Sequence, residues 1–235
     1  MTEKTLIERS PVRIFERAIG GGLGSGNIWV VLSRNGVGKT GFLIGLAIDQ
    51  LLQGKKVLYI STKESVEHIN NFFDQIFHAM AAALEMEEIP QMQLRMERNR
   101  HILVYNRDVF SLEKLEESVD FLKDATGFTP DMVIMDGTPR YEKTEQWEID
   151  AIRKLAADWQ AEIWTTSMLH REDQEVDDRH VPLTVAKYDG DLDVIIHLCP
   201  ESDHVRVRIT KEHGNTEIAE VPMGLDPRTL LLRWR

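Results

Sequence analysis

The sequence predicts an α/β fold, in which a central, mostly parallel β-sheet is flanked by helices and extended by antiparallel strands at the C-terminal end. Two patterns carry this prediction. From residue 28 to residue 167, short apolar runs of strand length alternate with longer segments whose apolar residues recur at helical spacing. After residue 193, strand-like runs follow one another with only turn residues between them, which is typical of antiparallel neighbours.

The elements follow from these patterns in chain order. Residues 28–33 form a continuous apolar run, which predicts a buried strand, and residues 41–53 repeat apolar residues with the period of a helix. By the same criteria, the next strands are residues 56–61, 102–106, 132–136 and 162–167, and the next helices are residues 65–86, 111–126 and 145–160. We expect an acidic, solvated helix end at Glu85, Glu87 and Glu88. A helix break should follow at Pro90, because a proline inside a helix removes a hydrogen bond.

The last third of the chain has a different character. Residues 168–191 are polar and weakly periodic, which predicts a long loop with at most a short helix. Beyond it we predict strands at residues 194–198, 205–211, 217–221 and 230–233, separated by turns at 201–204, 213–215 and 224–227.

The loop between the first strand and the first helix ends in Gly-Lys-Thr, as a phosphate-binding loop does. Amide groups and the helix dipole favour an anion at such a helix start, the lysine reaches phosphates, and the threonine hydroxyl suits Mg²⁺. The first position of the full pattern is glycine, and a serine stands there in this chain. The alternative is an ordinary turn with a solvated lysine. The candidate loop consists of Ser33, Arg34, Asn35, Gly36, Val37, Gly38, Lys39 and Thr40.

A carboxylate at the end of a second strand would complete such a site. Residues 132–135 are apolar and lead directly to Asp136, which a parallel sheet would place at its carboxyl edge, where open α/β sheets bind ligands. We therefore assign Asp136, with Thr40, to a Mg²⁺ site. The alternative is an ordinary strand followed by an Asp-Gly turn.

Composition limits the classes of protein that fit. The chain has 235 residues, of which 42% are hydrophobic, and its formal net charge of −11 disfavours general electrostatic binding to nucleic acid. Its one cysteine, Cys199, excludes a disulfide framework within the chain. Residues 1–10 are polar and no apolar run approaches membrane-spanning length, so we expect a cytoplasmic protein without a membrane anchor.

Two further segments flank the loop. Residues 15–27 contain the turn Gly-Gly-Gly-Leu, and residues 54–69 contain a strand followed by Lys63 and Glu64. Together with the loop they resemble the KaiC-like branch of the RecA-like ATPases. The resemblance runs from about residue 15 to about residue 232. It implies a RecA-like P-loop NTPase fold in a single domain over residues 1–235, with residues 1–14 as an N-terminal extension.

The resemblance also implies residue roles. In this family, a pair of glutamates after the second strand polarises the water that attacks the γ-phosphate, and here the pair is Lys63-Glu64. Glu64 is then the candidate base and Lys39 the second catalytic residue. An ammonium group at Lys63 would hold phosphate without activating water, so turnover would be slow.

Two later positions are implied in the same way. Thr166 and Ser167 end a strand similar to the one that senses the γ-phosphate, although polar residues there also serve as caps. Residues 210–214 resemble the family's Lys-x-Arg element, which stabilises phosphate charge in the neighbouring subunit; Lys211 matches its lysine and is the third catalytic candidate. His213 replaces an arginine and cannot supply its permanent bidentate charge.

The resemblance implies binding of ATP with Mg²⁺ at the interface of a homo-oligomer, for which a hexamer is one candidate, and a role as a regulatory or signalling switch. Two alternatives stay open. One is a module that binds nucleotide without hydrolysis and acts through an unidentified protein partner, which Lys63 and His213 favour. The other is a DNA recombination or helicase-type ATPase, whose candidate DNA loop, residues 171–187, mixes acidic and basic residues.

Overall fold

The predicted strands pair into one sheet. The computed structural model describes residues 12, 15, 24–169, 175–216 and 221–234. The strands are β1 (Ile28–Ser33), β2 (Val57–Ser61), β3 (Arg100–Val104), β4 (Met132–Asp136), β5 (Glu162–Met168), β6 (Val194–Pro200), β7 (Val205–Glu212), β8 (Met223–Leu225) and β9 (Leu232–Trp234). The helices are α1 (Lys39–Leu52), α2 (Val66–Ala83), α3 (Ile89–Asn99), α4 (Leu112–Thr126), α5 (Gln146–Trp159) and α6 (Leu183–Ala186).

The strand order is β3-β2-β4-β5-β1-β6-β7-β8-β9. In this order, every neighbouring pair from β3 across to β6 is parallel, while the pairs β6–β7, β7–β8 and β8–β9 are antiparallel. The predicted mostly parallel sheet with antiparallel strands at its C-terminal end is therefore confirmed. Because β1 leads through α1 to β2, which lies beyond β5 and β4, the carboxyl ends of β1 and β4 flank a crevice at one edge of the sheet.

The apolar residues of the central strands are buried on both faces of the sheet. Along β1, Trp29 and Val31 belong to one apolar cluster with α1, α2 and α3, whereas Val30 and Leu32 belong to another with α4 and α5. Trp29 stacks on Trp164 with ring centroids 4.4 Å apart. Burial on both faces explains why β1 is a continuous apolar run and holds the loop after it rigidly.

Local capping sets several helix boundaries. The Ser65 side chain accepts a hydrogen bond from the His68 amide at the start of α2, and Ser111 does the same for Lys114 at the start of α4. Helix α4 ends at Gly127, whose φ of 68° suits a glycine. Both helices thus begin one residue after the predicted position.

The helix break predicted at Pro90 lies before the proline. Helix α2 ends at Ala83 and α3 begins at Ile89, so Pro90 lies in the first turn of a helix that the sequence analysis did not predict. A proline is tolerated there because the first amides of a helix have no acceptor within it, so its missing N–H costs nothing.

The C-terminal strands also differ from the prediction. Gly224 lies inside β8 rather than in a turn, and β9 begins two residues after the predicted start. Most of the predicted strand 217–221 lies outside the described residues. The long polar segment contains the short helix α6, as expected. Among the described helices, none combines the length and apolarity that crossing a bilayer requires.

Candidate active site

The loop of residues 33–40 connects β1 to α1, as predicted. Gly38 forms the N-cap of α1 with a φ of 110°, and its carbonyl accepts a hydrogen bond from the Phe42 amide at 2.9 Å. A β-carbon on Gly38 would lie 2.9 Å from Cδ2 of Leu225. Glycine is therefore required at this position both by backbone conformation and by the closeness of β8.

Ser33 supports the lysine of the loop. The Lys39 ammonium donates to the Ser33 carbonyl at 3.0 Å and to the Ser33 hydroxyl at 2.9 Å. The hydroxyl in turn donates to the Arg34 carbonyl at 2.9 Å. The serine that stands in place of glycine thus fits the turn and adds a hydrogen bond to Lys39.

The surroundings of Lys39 destabilise its ammonium group. Burial, aided by the positive charge of Lys63, lowers the pKa of Lys39 to about 8, and Asp136 offsets part of this effect. The ammonium loses hydration and faces a second cation, so it is less stable than in free lysine, although it still predominates at pH 7. A bound anion would reverse this destabilisation.

Asp136 lies where β4 ends, and its carboxylate is the centre of the site. Oδ2 accepts hydrogen bonds from the hydroxyls of Thr40 and Tyr59, both at 3.0 Å. Oδ1 accepts from the Thr166 hydroxyl at 3.3 Å, and that hydroxyl accepts from the Gly137 amide at 3.0 Å. The two predicted Mg²⁺ ligands, Thr40 and Asp136, are therefore in direct contact.

This pair suits a hard cation. Mg²⁺ binds through one or two carboxylates together with substrate phosphates and water, rather than through an all-protein cage. Among the described residues, no group of three or more His, Cys, Asp or Glu side chains is arranged to bind a metal. Thr40 and Asp136 could hold Mg²⁺, with the remaining positions filled by phosphate and water.

Lys63 and Glu64 occupy the turn after β2. The amides of both residues donate to the Ser61 hydroxyl, at 3.1 and 2.9 Å. The Lys63 ammonium lies 3.7 Å from Oδ1 of Asp136, and Glu64 Oε2 lies 3.5 Å from Nε2 of His68. Both side chains line the same cavity as Lys39. The lysine that replaces one of two expected acidic residues therefore lies inside the site.

A cavity of about 500 Å³ joins these groups. Of the predicted residues it is lined by Asn35, Gly36, Gly38, Lys39, Thr40, Glu64 and Asp136. Ser33, Arg34, Val37 and Ser167 do not line it. Ser167 is buried, and its hydroxyl has no hydrogen-bond partner among the described residues. Its neighbour Thr166 is the one that contacts Asp136.

Lys211 and His213 lie apart from the phosphate loop, on the antiparallel side of the sheet. Lys211 pairs with Ile195 of β6, which lies opposite Val30 in the middle of β1, and the His213 amide donates to the Asp193 carbonyl beside the start of β1. The Lys211 ammonium binds the carbonyl and carboxylate of Asp189, and His213 is exposed. Neither residue lines the cavity of its own chain, so contact with a nucleotide would require a second copy of the chain.

The sequence reasoning missed several residues at the site. Tyr59 contacts Asp136, while Arg107, His68 and Leu230 line the cavity. Leu230 has a φ of 57°, and a β-carbon on Gly41 would lie 2.7 Å from its Cδ1. Tyr59 lies on a buried strand that ends at the site, which was an available signal; Leu230 had none, because the fold brings it from the far end of the chain.

The family described as "ATPase: KaiC" matches residues 9–211. The DNA repair protein RadA of Listeria monocytogenes serovar 1/2a (strain ATCC BAA-679 / EGD-e) is 30% identical over 139 residues, which is 57% of this chain and 23% of RadA. The aligned part of the chain therefore spans less than a quarter of RadA.

Proposed function

The chain belongs to the KaiC family of RecA-like P-loop ATPases, and from that premise we propose that it binds Mg·ATP, hydrolyses it slowly and acts as a regulatory or signalling switch in a homo-oligomer. The hydrogen bond of 3.0 Å between Thr40 and Asp136 carries this proposal. It joins the phosphate loop to the end of β4 beside Lys39, in a cavity large enough for a nucleotide.

The residues that line the cavity would divide the work of binding and hydrolysis among them. The loop amides and Lys39 would bind the phosphates, and Thr40 and Asp136 would hold Mg²⁺, which neutralises phosphate charge when bound. Glu64 lies at the rim of the cavity and would orient water as a base. Lys63 would hold the terminal phosphate without activating water, which accounts for slow turnover.

The position of His213 supports an oligomer, because it is exposed and does not line the cavity of its own chain, so it could reach only the nucleotide of a neighbouring copy. The buried Lys211 ammonium binds Asp189 and would have to leave it to make the same contact. A closed ring, of which a hexamer is one candidate, would repeat this contact. His213 lacks the permanent charge of an arginine, which would further slow hydrolysis.

Two alternative functions belong to other classes of protein. The contact between Lys63 and Asp136 favours a module that binds ATP without hydrolysis and acts through a protein contact. Similarity to RadA, a DNA repair protein, favours a DNA-dependent ATPase, whereas the net charge of −11 opposes nucleic-acid binding.

The deciding experiment pairs Mg·ATP titration with phosphate release at protein concentrations that allow assembly. We expect micromolar-range binding with slow release. Glu64→Gln should abolish release and leave affinity within about twofold, because the amide cannot accept a proton but fills the same space. Binding without release in the wild type would favour the interaction module, and absence of binding would contradict both functions.

Proton linkage gives an independent prediction. Lys39 has a pKa of about 8 in the free protein, and bound phosphates would favour its ammonium form. At pH 8.5, therefore, ATP binding should take up most of one proton, and affinity at pH 9 should be about tenfold weaker than at pH 7. Calorimetry in two buffers with different ionisation enthalpies measures the uptake. A binding enthalpy independent of buffer would contradict the assignment of Lys39.

A further inference from the structure

Lys63 is held in place by features of both β2 and β4. Its amide and that of Glu64 are fixed by the Ser61 hydroxyl, and its side chain crosses Gly137. A β-carbon on Gly137 would lie 2.8 Å from Cε and 3.0 Å from Cγ of Lys63. The lysine chain therefore uses space that only a glycine at residue 137 leaves free.

This path brings the ammonium to the place where a metal ion's charge is expected. Its Nζ lies 3.7 Å from Oδ1 of Asp136, while Oδ2 of the same carboxylate accepts from Thr40. Asp136, one of the two candidate Mg²⁺ ligands, thus already has a cation beside it. The Lys63 side chain lines the cavity and is 32% exposed, so its ammonium is accessible to a ligand there.

The cavity also has an excess of positive charge. The ammonium groups of Lys39 and Lys63 and the guanidinium of Arg107 line it, together with the two carboxylates of Glu64 and Asp136. A polyanion would relieve the repulsion between the two ammonium groups without any added metal.

We propose that Lys63 is a built-in cation that competes with Mg²⁺ for Asp136 and lets this site bind nucleoside triphosphate without a divalent metal. The proposal rests on the proposed function, since it concerns the same nucleotide site. In the metal-free state the ammonium would bind the terminal phosphate while remaining near Asp136. Mg²⁺ would then add less affinity than it does at a site with an acidic residue in this position.

The test is ATP titration by calorimetry in EDTA and in Mg²⁺, for the wild type and three variants. We expect the wild-type affinity in EDTA to lie within about tenfold of that in Mg²⁺. Lys63→Met should weaken binding about tenfold or more in EDTA, and less than about threefold in Mg²⁺. Lys63→Arg keeps a cation and should behave like the wild type. Lys123→Met, an exposed lysine on α4 away from the cavity, is the matched control.

A second measurement addresses the metal alone. Lys63→Met should raise the affinity for Mn²⁺, measured without nucleotide by the electron paramagnetic resonance signal of free Mn²⁺, because Asp136 loses its competing cation. Wild-type binding of ATP only in Mg²⁺, or equal losses for Lys63→Met in both conditions, would overturn the inference and leave the proposed function intact. Wild-type binding in neither condition would instead refute the proposed function itself.

Discussion

Lys39→Met is expected to weaken ATP binding by about 100-fold or more, because each charge-assisted hydrogen bond to phosphate contributes about 1.5–3 kcal/mol. Methionine keeps the length of the side chain but has no charge. Titration calorimetry at pH 7 measures the loss. Affinity that survives the substitution would mean that the phosphate loop has been misassigned.

The same variant should fold as well as the wild type. The folded-state pKa of Lys39 lies below its ordinary value of 10.5, so the charged lysine costs folding free energy at pH 7. That cost diminishes between pH 8 and pH 10.5, where the unfolded chain still binds the proton and the folded chain has released it. In urea unfolding, Lys39→Met should therefore be no less stable than the wild type at pH 7. Its advantage should shrink at pH 9.5.

Gly137→Ala is expected to be the most disruptive single change in the turn after β4. The φ of Gly137 is 91°, and a β-carbon there would lie 2.8 Å from both Lys63 Cε and Thr62 Oγ1. We expect a loss of about 2–4 kcal/mol in the free energy of unfolding, which combines backbone strain with displacement of these side chains. Because Asp136 precedes this residue, ATP affinity should fall as well.

Gly127→Ala is the matched control for Gly137→Ala. Gly127 also has a positive φ, of 68°, but a β-carbon there would have no atom within 4 Å. It should cost about 1 kcal/mol, from backbone strain alone, and leave ATP affinity unchanged. Equal destabilisation by both substitutions would show that the contact with Lys63 and Thr62 has no energetic weight.

Much of the site could be predicted because its signals are local. The apolar run of β1, the glycines of the loop and the spacing of α1 are all contained in residues 28–52. Asp136 follows its own apolar strand directly. Backbone sterics and side-chain periodicity act over a few residues, so such units can be recognised from sequence. The exception was Pro90, where the same residue type either ends or begins a helix.

The sequence by itself determined the mostly parallel class of sheet, the phosphate loop and the carboxylate at the end of β4. Only the tertiary structure decided that Lys63 meets Asp136, that Tyr59 shares that carboxylate, and that Lys211 binds Asp189 outside the cavity. Those contacts depend on which strands become neighbours and on how side chains from distant segments of the chain pack together. Strand order is set by burial of the whole sheet, and no local pattern records it.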